Sequence, residues 1–173
     1  FMRAGVPMLF SEGFSPHPRL SFCQPAPLGI AVENDFFEGE LTAPLEQGPE
    51  ELSSCFPEGM EIIRADEVTD GSKANEFVLE TVSFGITERR AERFSAQEWV
   101  YFDEKKEKYV TIKGIKEKVR EESRLLVTYD NREASLKKVT RYLLEGEEKP
   151  YPLNDIIRIG FHKGDTYEKI NCH

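Results

Sequence analysis

Apolar and polar positions divide the chain into two stretches of short elements, separated by the polar, turn-rich segment 69–75, Thr-Asp-Gly-Ser-Lys-Ala-Asn. A segment of that composition reads as a linker between folded units. It sets domains at residues 1–68 and 76–173. In the second stretch, residues 76–84 are dominated by β-branched and aromatic side chains and read as a strand. Residues 87–94 read as helix or loop. Residues 99–102 and 109–112 flank a turn at 103–106 and predict a hairpin. Residues 125–129 and 156–161 are two more strands. From Leu136 apolar residues recur at i, i+3, i+7 and i+8, reaching Leu144, which puts them on one helical face. The helix over 135–144 ends at Gly146. The resulting order is roughly β-α-β-β-β-α-β, a split βαβ unit.

The first stretch is less periodic. Residues 1–4 read as a last helical turn closed by Gly5 in the left-handed region. Residues 6–10 start extended and 19–23 return, with a loop over 11–18 between them. Residues 28–32 and 36–41 are strand candidates joined by a turn at Glu33-Asn-Asp35. Pro49 followed by Glu50 and Glu51 starts a helix over 49–56, which Pro57-Glu-Gly59 stops. Residues 60–65 read as a strand. No residue-level repeat relates the two halves.

Composition supports folded domains. At 173 residues, with 39% hydrophobic and 11% aromatic residues, the chain can fill one core or two small ones. No apolar run approaches the roughly 20 residues a membrane span needs, and no long apolar region follows Phe1-Met-Arg3. A cytoplasmic location is expected. Cys23, Cys55 and Cys172 are far apart and odd in number, which predicts unpaired thiols and supplies no iron–sulfur or zinc spacing. No metal or cofactor is expected. The tail pair Cys172 and His173 makes a poor metal site, and His162 has no neighbouring ligand in sequence. The net charge of −9 is uneven: residues 1–72 carry thirteen acids against three bases, and residues 73–173 nineteen against twenty. An acidic first half repels a polyphosphate backbone.

The densest chemistry lies in residues 10–23. Pro16 and Pro18 flank His17 and push its backbone toward an extended conformation. A stiff loop presents an imidazole at low entropic cost. Phe14 and Phe22 could stack a base while Arg19 meets a phosphate; both rings equally suit a core, and Phe22, which alternates with Leu20 on one strand face, is expected there. Further on, Lys105, Lys106 and Lys108, with Lys113, Lys116, Lys118 and Arg120, put seven bases into sixteen residues beside Tyr109. That pattern fits either a grip on RNA backbone or a solvated hairpin tip. The acid pairs Glu38/Glu40 and Glu50/Glu51 have no convergent base or nucleophile and read as surface. No Walker loop, dinucleotide fingerprint or Gly-x-Ser-x-Gly is present.

Residues 2–22, with the Ser-Glu-Gly-Phe-Ser-Pro-His-Pro-Arg-Leu-Ser-Phe run, followed by Pro25-Ala-Pro-Leu-Gly29, resemble the radical-SAM-linked protein family. This is a bacterial domain found beside, or fused to, radical-SAM proteins. The match is specific over residues 2–30 and extends to about residue 68. Ser15 stands where the family usually has Asn. The chain also begins where the family's first helix should be ending, so the resemblance implies a preceding strand and helix. With these restored, the first half takes the ferredoxin-like order β-α-β-β-α-β. The expected fold is therefore α+β, with two ferredoxin-like or split βαβ units in antiparallel sheets, the first lacking its initial strand and helix. By position the resemblance carries over Ser11, Gly13, Phe14, Pro16, His17 and Arg19 as binding residues.

With the aromatic, basic and histidine-bearing loop, the resemblance implies an accessory substrate-recognition protein working with a radical-SAM enzyme in RNA (tRNA or rRNA) modification or processing; a non-catalytic role is the favoured expectation, and whether the chain is itself an enzyme stays open. The Cys-x3-Cys-x2-Cys set of a cluster-bearing enzyme is absent from this sequence. Two other readings stay open: an RNA-processing nuclease with His17 as general acid or base, and a protein-interaction module with an acidic docking face.

Overall fold

A computed structural model of the chain describes residues 2–25, 29–68, 73–147 and 154–163. In chain order the elements are β1 (Leu20–Phe22), β2 (Ala31–Val32), β3 (Phe37–Gly39), α1 (Pro49–Ser53), β4 (Leu79–Gly85), α2 (Glu88–Ser95), β5 (Val100–Asp103), β6 (Lys108–Thr111), β7 (Ile115–Arg120), β8 (Arg124–Asp130), α3 (Leu136–Leu143) and β9 (Ile156–His162). The fold is α+β. Two compact units form, one from residues 1–22 and 36–75, the other from residues 23–35 and 76–173. The segment 23–35, which lies before the linker in sequence, thus groups with the second unit. Of the 69–75 linker, residues 69–72 lie outside the described residues, as do Leu28, Cys172 and His173.

The second unit is built on one five-stranded sheet in the order β2-β9-β4-β8-β7. Its β4, β7, β8 and β9 are neighbours in antiparallel pairs, with α2 between β4 and β7 and α3 between β8 and β9. That is the ferredoxin-like order, to which β2 adds an edge strand parallel to β9 and β5–β6 an inserted hairpin. The central strand β4 is buried over Leu79, Glu80, Thr81, Val82, Ser83 and Phe84, so both of its faces are covered. The helix spacing read from Leu136 is realised: Leu136, Val139, Leu143 and Leu144 are all buried, in one cluster with Val82, Phe84, Leu125, Val127 and Trp99. Thr87 caps α2 by accepting the Arg90 N–H at 3.2 Å.

The first unit contains the antiparallel pair β1–β3, with Leu20 opposite Gly39 and Phe22 opposite Phe37. Bridges at Met8↔Leu41 and Phe10↔Pro18 extend it. Its small core joins Val6, Met8 and Leu52 of α1, with Ala4, Leu20 and Ile62 packed alongside. Gly5 closes the opening turn at φ +68, as its position suggests.

Three expectations are corrected. Residues 60–65 form no strand: Ile62 is anchored by donating its N–H to the Ser53 hydroxyl at 2.7 Å, while Met60 and Ile63 stay exposed. A strand not foreseen, β7, runs through Lys116, Glu117, Lys118 and Arg120 at the sheet edge, where charged side chains reach water and discourage further pairing. Phe22 is not core. It is 60% exposed, with its ring 5.6 Å from that of Phe37, because the two-residue period that buries Leu20 reaches Phe22 at the open end of a three-residue ribbon.

Candidate functional site

The 11–17 loop is held from both sides. The Ser11 N–H donates to the His17 carbonyl at 2.8 Å, and the His17 N–H donates to the Ser11 hydroxyl at 3.0 Å. Below this closure the Arg19 N–H donates to the Leu9 carbonyl, the Leu9 N–H to the Glu40 carbonyl and the Glu40 N–H to the Arg19 carbonyl. Between these anchors Gly13 sits at φ +126, a conformation that only glycine adopts without strain. Two prolines, a reciprocal main-chain lock and one glycine hinge therefore fix the loop by sequence-local means.

The loop presents a phenyl ring and an imidazole, with the Glu12 carboxylate exposed in the same turn. Phe14 is fully exposed at its tip, and His17 and Pro16 are exposed beside it. No side chain among the described residues is bonded to the His17 ring. Arg19 is already engaged: its Nη1 lies 3.0 Å from the Glu40 carboxylate, with both side chains about half in water. Such an exposed pair is worth little in stability, so the arginine is exchangeable, but it does not stand ready for a phosphate. The first unit carries eleven acids against four bases, so the acidity read over residues 1–72 persists in this unit, somewhat reduced, and still repels polyanions.

The lysines sit in the second unit and divide into two kinds. Lys105, Lys106 and Lys108 are exposed around the β5–β6 turn, where the Asp103 carboxylate accepts the Lys105 and Lys106 N–H groups at 3.1 and 3.4 Å. Lys118 is structural. Its Nζ donates to the Phe94 and Ala96 carbonyls at 3.0 and 2.8 Å and lies 5.7 Å from the Trp99 ring. Lys116 and Arg120 belong to the edge strand β7 and are no part of the hairpin.

Sequence reasoning missed a buried ionic cluster in the second unit. Arg158, 1% exposed on β9, donates to the Asp35 carboxylate, to the Gln24 carbonyl at 3.2 Å and to the Pro25 carbonyl at 3.3 Å, and its Nη1 lies 3.8 Å from Glu80. Burial raises the Glu80 and Asp35 carboxyls, and Arg158 pulls both back. Burial, with Asp35 and Glu80 nearby, also pushes the Cys23 thiol up to about 12, and that thiol donates to the Phe77 carbonyl at 3.0 Å. A thiol so held is a poor nucleophile at neutral pH. Cys23 and Cys55 are free, and no group of three or more His, Cys, Asp or Glu side chains suited to a metal occurs among the described residues. The signal for the cluster lay in Ile156-Ile-Arg-Ile-Gly-Phe161, where an arginine interrupts a strand that is otherwise apolar.

Against known proteins, residues 1–149 match a family described as an uncharacterized protein conserved in bacteria (DUF2344). The chain belongs to this family. The match takes in the 11–17 loop, the β5–β6 hairpin and α3. No curated protein and no solved structure matches the chain. Among the described residues no helix is long and apolar enough to cross a membrane.

Proposed function

We propose that this bacterial protein is an accessory recognition subunit that works with a radical-SAM enzyme and presents RNA, tRNA or rRNA, to it. The observation that carries the reading is the locked 11–17 loop, which holds Phe14 and His17 out in solvent. Preorganised side chains of this kind lose little entropy on binding, and an exposed imidazole without a bonded side-chain partner suits contact better than proton transfer. The resemblance of residues 2–30 to the radical-SAM-linked family names the enzyme. The acidity of the first unit makes that unit the side to meet a basic protein surface. The lysine-bearing hairpin of the second unit is the side to meet RNA.

The test is co-purification with the neighbouring or fused radical-SAM protein, and turnover of RNA with and without this chain. His17→Ala and Phe14→Ala should weaken the complex with little change in melting temperature. The chain alone should leave RNA intact. RNA cleavage by the chain alone that disappears in His17→Ala would replace this reading with a nuclease.

A further inference from the structure

The β5–β6 hairpin is an addition to the ferredoxin-like frame, since β9, β4, β8 and β7 form their sheet without it. Its inner face is rooted in the core through Tyr101, with Trp99 and Ile112 beside it, all buried. Its outer face is aromatic. Phe102 and Tyr109 stand directly opposite one another in the register, 41% and 76% exposed, with ring centroids 5.3 Å apart and planes at 65°. Val100 is also exposed on that face. An edge-to-face pair leaves ring surface uncovered, and Tyr109 is the more open of the two. Arg141 braces the strand by donating to the Phe102 carbonyl at 3.0 Å, its guanidinium 5.1 Å from the Tyr101 ring.

We propose that this outer face is a stacking site for single-stranded RNA: a base lies on the Tyr109 ring, Phe102 buttresses that ring, and Lys105 and Lys106, exposed at the turn, meet the flanking phosphates; Lys108, opposite Asp103, belongs to the other face of the ribbon. The inference rests on the reading of the chain as an RNA-recognition protein and names the surface that does it. Stacking tolerates any base and supplies most of the affinity. Glu104 and Glu107 lie among the lysines, so few counterions are released and the salt dependence is shallow. Two exposed turn lysines, Lys105 and Lys106, at the end of an open aromatic face favour a polyanion with flat faces over an apolar protein groove, which would leave those ammonium groups unmatched.

The probe is a fluorescently labelled 12-residue oligouridine, titrated with the 173-residue chain and read by anisotropy. Tyr109→Ala should weaken binding about tenfold or more, with a melting temperature close to wild type because the ring is mostly solvated. Tyr109→Phe should keep the affinity, since the ring and not the hydroxyl does the stacking. The double substitution Lys105→Ala/Lys106→Ala should flatten the slope of log affinity against log salt by about 1. If Tyr109→Ala binds the oligomer as tightly as wild type, the hairpin site is overturned while RNA recognition stands. If the wild-type chain binds neither the oligomer nor a bulk tRNA fraction, RNA recognition itself fails and the hairpin site falls with it. If Tyr109→Ala keeps RNA binding and loses the partner enzyme, the face is a protein-docking surface and the proposal is overturned.

Discussion

Replacing Arg158 by methionine should destabilise the second unit by about 3–5 kcal/mol, the usual range when one partner of a buried ionic group is removed. Methionine keeps most of the side chain's length but gives up the guanidinium, whose carbon lies over the Phe161 ring at 4.9 Å from its centre. It removes the Arg158 donors to Asp35, Gln24 and Pro25, and the positive charge that lies 3.8 Å from Glu80, a carboxyl only 4% exposed. Burial already raises Glu80 against the opposing pull of Tyr129 and Arg158; without Arg158 the rise is larger. A carboxyl whose folded value lies above its unfolded one binds its proton more tightly in the folded state. Its contribution is full below the unfolded value, 4.5 for Glu80, and is lost as pH climbs through the folded value. The Arg158→Met deficit should therefore be largest near pH 7 and shrink toward about pH 5. Urea denaturation followed by Trp99, the single tryptophan and a buried member of this unit's core, reads the transition directly. Adding Glu80→Gln should return about 1–2 kcal/mol at neutral pH by removing the stranded charge. A neutral-pH deficit below about 1 kcal/mol, a deficit that grows on acidification, or a double variant no better than the single would refute the ion cluster as described.

Leu143→Ala, at a fully buried position of α3, should cost about 2–5 kcal/mol in the same titration, whereas Phe22→Ala, at 60% exposure, should cost less than about 1 kcal/mol. Cys23 should stay unlabelled by iodoacetamide near pH 8 when peptides are mapped by mass spectrometry, and Cys55 should react before it; fast alkylation of Cys23 would contradict its raised thiol. The Asp130 carboxyl is held down to about 2, chiefly by its hydrogen bond from Arg132. A depressed acid stabilises the fold above its unfolded value of 3.8 and loses that contribution as pH falls through the folded one. Asp130→Asn should accordingly flatten the fall in melting temperature between those two values, and an unchanged acid limb would show that Arg132 does not hold it.

Legibility followed the strength of the local pattern. In α3 and β8 apolar residues recur at one spacing over eight and seven positions, so tertiary packing only confirms what periodicity dictates. β7 was illegible because its residues are mostly charged, and a charged edge strand takes its conformation from β8, to which it pairs over Leu125, Leu126 and Val127. Residues 60–65 failed in the opposite sense: apolar content suggested a strand, but the Ser53 hydroxyl bonding both the N–H and the carbonyl of Ile62 fixes the segment, and no ladder does. In the loop the stiffness was written in Pro16 and Pro18. The Ser11–His17 lock closes within seven residues, but the engagement of Arg19 by Glu40 depends on the β1–β3 register, which no short motif encodes.

The domain division shows the same limit at larger scale. A linear reading places its boundary at the polar segment 69–75, since composition changes there. Yet Cys23, Gln24, Pro25 and Asp35 are bonded to Phe77 and Arg158, and β2 pairs with β9. The contacts that decide where 23–35 belongs join residues as far as 134 positions apart in sequence. Each is a single polar group meeting a carbonyl or a carboxylate, invisible to hydropathy. A lone arginine in an apolar strand is the one local sign that such a segment must come: buried guanidinium needs acceptors, and the side chains flanking Arg158 on β9, Ile156, Ile157 and Ile159, supply none. Arg158 therefore predicts, from energetics alone, that polar main chain from elsewhere must be brought to it, and 23–35 is the stretch that answers.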